Sequence, residues 1–413
     1  MINKPISNSY QFGKKTVLLT ISSKDYISFS RTLIESVFKI HPEFKSYLCL
    51  VDEIDGYFNP DLEKNCKVIL SNSLNIENFN DMKVRYNIVE LNTAVKPYAI
   101  KWLFDNLDID YVIYLDSDIY LFSRLDQLFK EFLQGASIIL TPHILYPLED
   151  GYNPDDHSML KSGIFNLGFI AIRRCPESLE FLDWWSRRLE TQCTTDLTNN
   201  LFQDQKWCDL APAFLNDLKI LRNEGYNVAY WNLRHRIIKK NNDLYTVNGK
   251  PLVFFHFSGI NPSKKEQVSK HQDRFSWYEL NNDCKDLFVN YSNNLMNNGW
   301  ETALKWPYAY DFIDGIYISP IIRKLYQNTY KIPNNFINNN DIKKCLIELC
   351  NSFSLTNNNL ITNLMYYIYK SRIDLQNAFN LLTQDGSENY LQWYLNTDEK
   401  DVAQTRLWTN FIM

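Results

Sequence analysis

The stretch Tyr111-Val-Ile-Tyr-Leu-Asp-Ser-Asp-Ile-Tyr-Leu121 constrains the fold more than any other part of the chain. Five largely apolar residues lead directly into Asp116 and Asp118, and the chain then becomes apolar again. A short apolar run rich in β-branched and aromatic residues is typical of a buried strand in a parallel sheet. An ionised carboxylate does not lie within such a strand, because desolvating it without a partner is costly. We therefore expect both carboxylates at the carboxyl end of the strand, in the crevice where open α/β sheets bind ligands.

Two roles are open for Asp116 and Asp118. Both could ligate a hard divalent cation, since such ions prefer carboxylate oxygens. Alternatively, one Asp could cap a helix and the other could lie in a turn. A D-x-D pair alone is too common a motif to decide between these roles, so further residues are needed.

The first 140 residues alternate between strand and helix patterns. This alternation predicts a mostly parallel, doubly wound sheet. The predicted strands are residues 16–21, 45–51, 111–115 and 137–140, and the predicted helices are residues 26–40, 82–104 (interrupted near Pro97) and 125–133, the last of them capped by Ser123 and closed by Gly135.

The later part of the chain divides into two regions. Residues 162–172 form an apolar strand that carries Asn166, and Asn248-Gly249 between two apolar runs predicts a hairpin with a type I′ turn. Beyond Trp306 the strand signals fade and helical periodicity dominates, which predicts a catalytic domain of residues 1–305 and a mainly helical region of residues 306–413. The predicted helices of that region are residues 342–353, 360–379 and 388–395.

Composition excludes several classes of protein. With 45% hydrophobic and 22% charged residues, the chain is typical of globular proteins. Its net charge of −5 argues against a nucleic-acid partner, and an anionic ligand would need a bound cation or a few placed basic residues. The eight cysteines show no zinc spacing and indicate free thiols. Residues 1–14 lack an apolar signal core and no apolar run spans a bilayer, so we expect a cytoplasmic protein, compatible with peripheral membrane contact.

Five short motifs occur in an order that resembles nucleotide-sugar glycosyltransferases of the GT-A fold, most closely glycosyltransferase family 8. The resemblance covers residues 15–275, and each motif is weak by itself. The motifs are Asp116-Ser-Asp118, Phe165-Asn-Leu-Gly168, Asp204-Gln205, Trp231-Asn232 and His256-Phe-Ser-Gly259.

The resemblance implies a GT-A, Rossmann-like α/β fold with a mostly parallel central sheet flanked by helices and a C-terminal helical appendage. It implies that Asp116, Asp118 and His256 bind a divalent metal. Imidazole favours Mn²⁺, with Mg²⁺ as the alternative, and the metal would bind the diphosphate of a nucleotide sugar. A buried core histidine is the competing interpretation of His256.

The resemblance also implies a sugar-binding group formed by Asn166, Asp204 and Gln205. Gln205 would face the anomeric carbon in a reaction that retains configuration, and Asp204 would recognise a hydroxyl group. Asp204 could instead be a helix N-cap. Lys96 matches a basic, sugar-contacting position upstream of the D-x-D pair.

Several positions are expected to hold the rest of the donor. Thr20, Ile21 and Asp25 would contact the base, with uridine the commonest base among relatives. Ser117 and Gly259 would contact the donor. The family places a lysine three residues after the H-x-x-G glycine, but this chain has Pro262 there, which leaves Lys264 and Lys270 as candidates. A solvated charged loop is the competing interpretation of these lysines.

The predicted function is thus metal-dependent transfer of a sugar to a glycan, lipid-linked or protein acceptor. The helical tail and the segment 225–232 are also similar to bacterial glycosyltransferases of surface-polysaccharide assembly, which suggests work at the inner face of the membrane. Two alternatives remain: a carbohydrate-binding or scaffold protein without turnover, and a phosphatase like the haloacid dehalogenases. The phosphatase pattern requires Thr or Val where this chain has Tyr120.

Overall fold

The computed structural model describes residues 15–242, 244–352 and 360–409, so the predictions for residues 1–14 and for Phe353 lie outside the described residues. The chain forms two compact units: residues 15–75 with 92–307, and residues 76–91 with 308–409. The strands are β1 Thr16–Ser22, β2 Lys45–Leu50, β3 Cys66–Leu70, β4 Tyr111–Leu115, β5 Ile119–Leu121, β6 Ile138–Pro142, β7 Phe165–Arg173, β8 Thr195–Asp196, β9 Leu201–Phe202, β10 Leu218–Ile220, β11 Ile238–Asn241, β12 Leu244–Val247, β13 Lys250–Pro251, β14 Phe254–His256, β15 Phe312–Ile313 and β16 Ile316–Tyr317. The α-helices are α1 Ile27–Ile40, α2 Phe79–Arg85, α3 Ile88–Ala94, α4 Lys96–Asn106, α5 Asp126–Leu133, α6 Asp156–Ser162, α7 Pro176–Leu189, α8 Ala211–Phe214, α9 Asn282–Asn297, α10 Trp300–Ala303, α11 Pro320–Thr329, α12 Asn339–Asn351, α13 Asn363–Ser371, α14 Ile373–Ala378, α15 Gln384–Asn396 and α16 Lys400–Ala403.

The first unit is built on a seven-stranded sheet in the order β10-β6-β7-β4-β1-β2-β3. Strand β7 runs antiparallel to both of its neighbours, whereas the other paired strands of this sheet are parallel. Strands β1 and β4 at its centre are almost entirely buried, which explains their continuous apolar sequences. The predicted α/β fold with a mostly parallel central sheet flanked by helices is confirmed.

A second, two-stranded sheet positions the site. Strand β5 follows Asp118 directly and pairs antiparallel with β14, with Ile119 opposite His256. The second of the two apolar runs, residues 252–257, was expected to form the second strand of the hairpin. Instead, β12 turns through Asn248 and Gly249 into the short β13, with Val247 opposite Lys250, and β14 leaves to pair with β5. Both turn residues have positive φ, as the predicted type I′ turn requires.

Three local predictions need correction. Strand β3 was missed, because it lies at the edge of the sheet and only one of its five residues is buried. Ser123 does not cap α5, since the capping position is Leu125 and no side chain caps this helix. The expected interruption near Pro97 is present at Val95, between α3 and α4, with Pro97 in the first turn of α4, but a second break after Arg85 was missed.

The second unit consists mainly of helices. The predicted helix over residues 360–379 is broken at Arg372 into α13 and α14. The guanidinium of Arg323, buried to 4% exposure, donates to four backbone carbonyls within this unit and to the Asp311 carboxylate. In the described ranges, no helix combines the length and the apolar character needed to cross a membrane.

Candidate active site

Asp116 and Asp118 lie at the carboxyl end of β4, where the apolar strand predicts them. The backbone N–H of Asp116 donates to the Gly168 carbonyl at 2.8 Å, and the Asp118 carbonyl accepts from the N–H of Phe257 at 2.8 Å. The D-x-D turn is thus fixed on one side by β7 and on the other by the residue that follows β14. The alternative of a capping Asp does not apply to this turn, because no side chain caps the next helix.

The structure brings Asp116, Asp118 and His256 together, and we call these three residues the Asp-Asp-His cluster. Each offers a ligand atom within 4.8 Å of the other two. His256 Nε2 lies 2.9 Å from Asp118 Oδ1 and 3.9 Å from Asp116 Oδ2. His256 is buried, whereas Asp116 keeps 31% of its side-chain surface exposed. Two carboxylate oxygens and one imidazole nitrogen with one open side are a donor set suited to a divalent cation.

Charge dominates the protonation of His256. Burial lowers the pKa of His256, but the charge of Asp118, its hydrogen bond and the charge of Asp116 together raise it above its usual value. His256 Nε2 and Asp118 Oδ1 are within hydrogen-bond distance of each other, so a cation at the cluster would compete with this contact.

The His256 ring occupies space that a side chain at residue 168 would need. A Cβ atom at this position would lie 2.4 Å from Cε1 and 2.7 Å from Nδ1 of the His256 ring. Such distances are far inside van der Waals contact, so any side chain at residue 168 would displace the imidazole. The glycine of Phe165-Asn-Leu-Gly168 is therefore a direct neighbour of the histidine of His256-Phe-Ser-Gly259.

Lys96 and Asp204 form a buried ion pair beside the cluster. Lys96 Nζ lies 2.5 Å from Asp204 Oδ2, donates to the Leu167 carbonyl at 2.7 Å, and lies 3.9 Å from Asp116 Oδ1. It also lies 4.3 Å from the centroid of the Tyr114 ring. Burial lowers the pKa of Lys96, but Asp204 and Asp116 raise it above its usual value, so the ammonium is retained. Lys96, which matches the family by its position alone, thus lies beside a carboxylate of the D-x-D pair.

Asp204 and Gln205 are adjacent in the sequence, but their side chains make different contacts. Asp204 stands at the capping position of the 3₁₀ helix Gln205–Leu210, yet its side chain caps nothing and pairs with Lys96 instead. The Gln205 amide donates to the Ser162 carbonyl at 2.8 Å. Because the amide nitrogen is thereby fixed, the Gln205 side-chain oxygen is left to accept from, or stabilise positive charge on, another group.

Asn166 lies behind His256, in a buried network. Its side-chain oxygen is 3.2 Å from His256 Nδ1, and its side-chain nitrogen is 3.2 Å from His143 Nε2. Asn227 donates to the same oxygen at 3.0 Å. Asn232, from Trp231-Asn232, binds the carbonyls of His143 and Asn227, so this motif supports the same network. The sequence offered no signal for His143, a lone histidine after a strand.

The residues expected at the base of the nucleotide divide into two groups. Thr20 and Ile21 are buried within β1. Asp25 lies beyond the end of that strand, is partly exposed, and accepts a hydrogen bond from Ser23. Next to it, the pKa of Tyr26 is raised by desolvation and by the charges of Asp118 and Asp25. Of these three residues, Asp25 is the one whose side chain is not buried.

The loop after Gly259 folds back onto this glycine. Lys270 N–H donates to the Gly259 carbonyl at 3.1 Å, and a Cβ at Gly259 would lie 2.5 Å from His271 Cδ2. The pKa of His271 is lowered by desolvation and by Lys270, and the charge of Asp118 opposes this shift. Lys264 and Lys270 are both exposed, whereas Ser117 is buried to 7% exposure inside the D-x-D turn.

The chain is similar in sequence to two uncharacterized proteins and similar in structure to several glycosyltransferases. No protein-family model matches it. Two uncharacterized proteins of Bacillus subtilis (strain 168) are similar in sequence: YfnD is 25% identical over 213 residues, 50% of this chain and 64% of YfnD, and YfnF is 24% identical over 170 residues, 40% of this chain and 55% of YfnF. The chain thus spans less than two thirds of the length of either relative.

Among solved structures, three glycosyltransferases are similar to the chain at TM-scores from 0.40 to 0.43. The galactosyltransferase LgtC, solved with donor and acceptor sugar analogues, is 14% identical, with 67% of this chain and 95% of LgtC covered. GlyE of Streptococcus pneumoniae TIGR4 is 16% identical, with 71% of this chain and 65% of GlyE covered. The bifunctional glycosyltransferase WbbM is 15% identical, with 73% of this chain and 52% of WbbM covered.

Proposed function

We propose that this chain is a metal-dependent glycosyltransferase that moves a sugar from a nucleoside diphosphate donor, a UDP-sugar, to a glycan, lipid-linked or protein acceptor. The observation that carries the proposal is the Asp-Asp-His cluster, with ligand atoms within 4.8 Å of one another at the carboxyl edge of the sheet. The buried Lys96–Asp204 pair beside it supports a site for a polar ligand. The catalytic domain in this proposal is residues 1–305.

Asp116, Asp118 and His256 would hold Mn²⁺, since imidazole with carboxylates suits a transition metal, and Mg²⁺ is the alternative. When bound, the cation would supply charge neutralisation for the diphosphate that leaves. The chain itself supplies the orientation of its ligands through the backbone bonds of Asp116 and Asp118. Lys96 adds a positive charge 3.9 Å from Asp116.

Gln205 and Asp204 would face the transferred sugar, and the reaction would retain configuration. The Gln205 side-chain oxygen is directed away from Ser162, because the amide nitrogen binds the Ser162 carbonyl. A weakly polar oxygen of this kind suits stabilisation of an oxocarbenium-like ion on the front face of the sugar. Asp204, fixed by Lys96, is a rigid acceptor for a sugar hydroxyl group.

The other end of the donor would extend toward Asp25 and the loop after Gly259. Lys270 is better supported than Lys264 as the diphosphate cation, because its backbone binds the Gly259 carbonyl at 3.1 Å. Its neighbour His271 packs against the same glycine. We propose that the lysine missing at Pro262 is replaced from this later part of the loop. The protein would act in the cytoplasm, at the inner face of the membrane when the acceptor is lipid-linked.

Replacing Gln205 by Ala should spare donor binding and slow transfer. We expect unchanged Mn²⁺-dependent affinity for the donor and a kcat lower by about 100-fold, the scale of losing one group that stabilises developing charge. Radiolabelled sugar transfer and calorimetric donor binding measure the two quantities. The matched control is Gln203→Ala, which should leave both unchanged. Loss of donor binding in Gln205→Ala would reassign this residue to the donor site.

A scaffold without turnover is the competing function, and Pro262 in place of the expected lysine is the observation that favours it. The two functions differ in a simple assay. Purified protein is incubated with common nucleotide sugars, with and without Mn²⁺, after a thermal-shift screen has selected the donors that stabilise it. Mn²⁺-dependent hydrolysis or transfer supports the transferase. Stabilisation by a donor with no turnover supports the scaffold.

A further inference from the structure

A buried chain of polar side chains runs behind His256, away from the open side of the cluster. It consists of Asn166, His143, Asn227 and Thr141, which are exposed by 7%, 5%, 0% and 2%. Buried polar groups are expensive unless their hydrogen bonds are made, so the directions of these bonds are tightly constrained. These directions decide which nitrogen of His256 keeps its proton.

The orientation of the Asn166 amide follows from one backbone group. The N–H of Gly168 can only donate, and it lies 3.2 Å from the side-chain atom of Asn166 that faces it. That atom must therefore be the oxygen. The same oxygen lies 3.2 Å from His256 Nδ1, so Nδ1 must carry a hydrogen.

The other side of the amide is held by His143. The Asn166 nitrogen lies 3.2 Å from His143 Nε2, which accepts its hydrogen. Burial lowers the pKa of His143 to about 4, so the ring is neutral and offers a lone pair at Nε2. Asn227, which binds Thr141 at 2.9 Å, donates to the Asn166 oxygen and opposes the reversed orientation of the amide as well.

We propose that His143, acting through Asn166, holds His256 with its hydrogen on Nδ1, so that Nε2 presents its lone pair to the cation. His143 and Asn166 are positioning residues in this assignment, since neither touches the cation. The inference rests on the metal site of the proposed function. It also gives Asn166 a role other than the sugar contact that the family resemblance implies, because all of its amide hydrogen-bonding partners here are protein groups behind the imidazole.

His143 matters because its acceptor nitrogen disfavours the reversed orientation of the Asn166 amide. Without an acceptor at this position, the Asn166 nitrogen is buried without the partner it has now, and only the donors Gly168 and Asn227 still oppose the reversed amide. A reversed amide would present an N–H group to His256 Nδ1, which would then need to be unprotonated. The remaining hydrogen would lie on Nε2 and would block the cation. Outer partners of metal-bound histidines act in this way in many metal sites.

The test uses Mn²⁺ alone as the probe and electron paramagnetic resonance of free Mn²⁺ as the readout, with no activity involved. His143→Phe keeps the ring but removes the acceptor, and His143→Gln places an amide oxygen where Nε2 was. We expect Mn²⁺ affinity about 10- to 100-fold weaker in His143→Phe, the usual effect of an outer partner, and near-wild-type affinity in His143→Gln. Unchanged affinity in His143→Phe, or equal losses in both variants, would overturn the inference.

Melting curves of the metal-free variants separate folding from positioning. If His143→Phe does not fold, Asn166→Asp and Asn166→Ala carry the comparison: Asp keeps an acceptor for His256 Nδ1 and should retain Mn²⁺ binding, whereas Ala should lose it. Equal affinities in this pair would also overturn the inference. A wild-type protein that does not bind Mn²⁺ contradicts the proposed metal site and this inference with it. Wild-type binding with an insensitive His143→Phe contradicts this inference alone.

Discussion

Asp118→Asn is expected to abolish Mn²⁺-dependent binding of the nucleotide while the fold stays intact. Asp118 supplies the carboxylate nearest to His256, at 2.9 Å from Nε2. The amide removes the negative charge and can present an N–H group where the cation would lie. We expect the affinity for Mn²⁺ to fall by more than about 100-fold, beyond the effect of losing an outer partner.

The fold should tolerate this change for two reasons. The Phe257 N–H, directly after β14, donates to the backbone carbonyl of residue 118, and the variant keeps this carbonyl. The metal-free protein loses one of two neighbouring like charges but also the contact of Asp118 with His256 Nε2, and because these effects oppose each other its melting temperature should change little. Isothermal titration with Mn²⁺ and UDP, together with thermal unfolding, measures both effects. The control is Asp110→Asn, an exposed Asp next to the opposite end of β4. Unchanged nucleotide affinity in Asp118→Asn would falsify the metal interpretation.

Lys96→Met is expected to give the largest loss of stability in the site. The side chain of Lys96 is 1% exposed, and its ammonium lies 2.5 Å from Asp204 and donates to the Leu167 carbonyl. Removing one partner of a buried ion pair leaves the other charge unpaired, which costs about 3–5 kcal/mol. Urea denaturation should therefore show a lower free energy of unfolding by this amount, and transfer activity should be lost as well.

The loss in Lys96→Met should depend on pH. Burial raises the pKa of Asp204 and Lys96 opposes that shift, so the variant raises this pKa further above its unfolded value. A folded-state pKa that is raised for an acid favours the protonated folded form, so the loss of stability should be smaller at about pH 5 than at about pH 8. A pH-independent loss would show that Lys96→Met leaves the protonation of Asp204 unchanged, which would contradict this prediction.

A double variant separates stability from function. Lys96→Met with Asp204→Asn removes the buried charge altogether and should recover much of the free energy of unfolding. Its transfer activity should stay lost, because the positive charge near Asp116 and the carboxylate at residue 204 are both gone. A double variant as unstable as Lys96→Met would show that packing of the lysine stem, and not its charge, stabilises this part of the unit.

The sequence was most informative where one physical rule dominates. The end of β4 was predicted correctly because an ionised Asp cannot lie inside an apolar strand. The helix α1 was predicted to within one residue, because its apolar residues recur with helical periodicity. In contrast, β3 is a five-residue edge strand with one buried residue, and its short apolar run carries no alternation that marks a strand.

The site was predicted less completely, because its geometry depends on pairings between distant segments. The meeting of His256 with the D-x-D pair was implied by the family resemblance only, and β14 was expected to pair with β12. No local sequence pattern indicates the pairing of β14 with β5 that brings His256 to Asp118. His143 was missed for the same reason, since its role depends on an amide in another strand.

The pairing of β5 with β14 also sets an order of events during synthesis of the chain. The D-x-D carboxylates leave the ribosome long before residue 256 does, so a nascent chain cannot complete the cation site from the residues it already has. Contacts between such distant segments form late, because closing a long loop costs entropy before the contact rewards it. Loading with metal should therefore report on completed folding of the first unit. Truncated chains that end before residue 256 should neither retain Mn²⁺ nor gain stability from it.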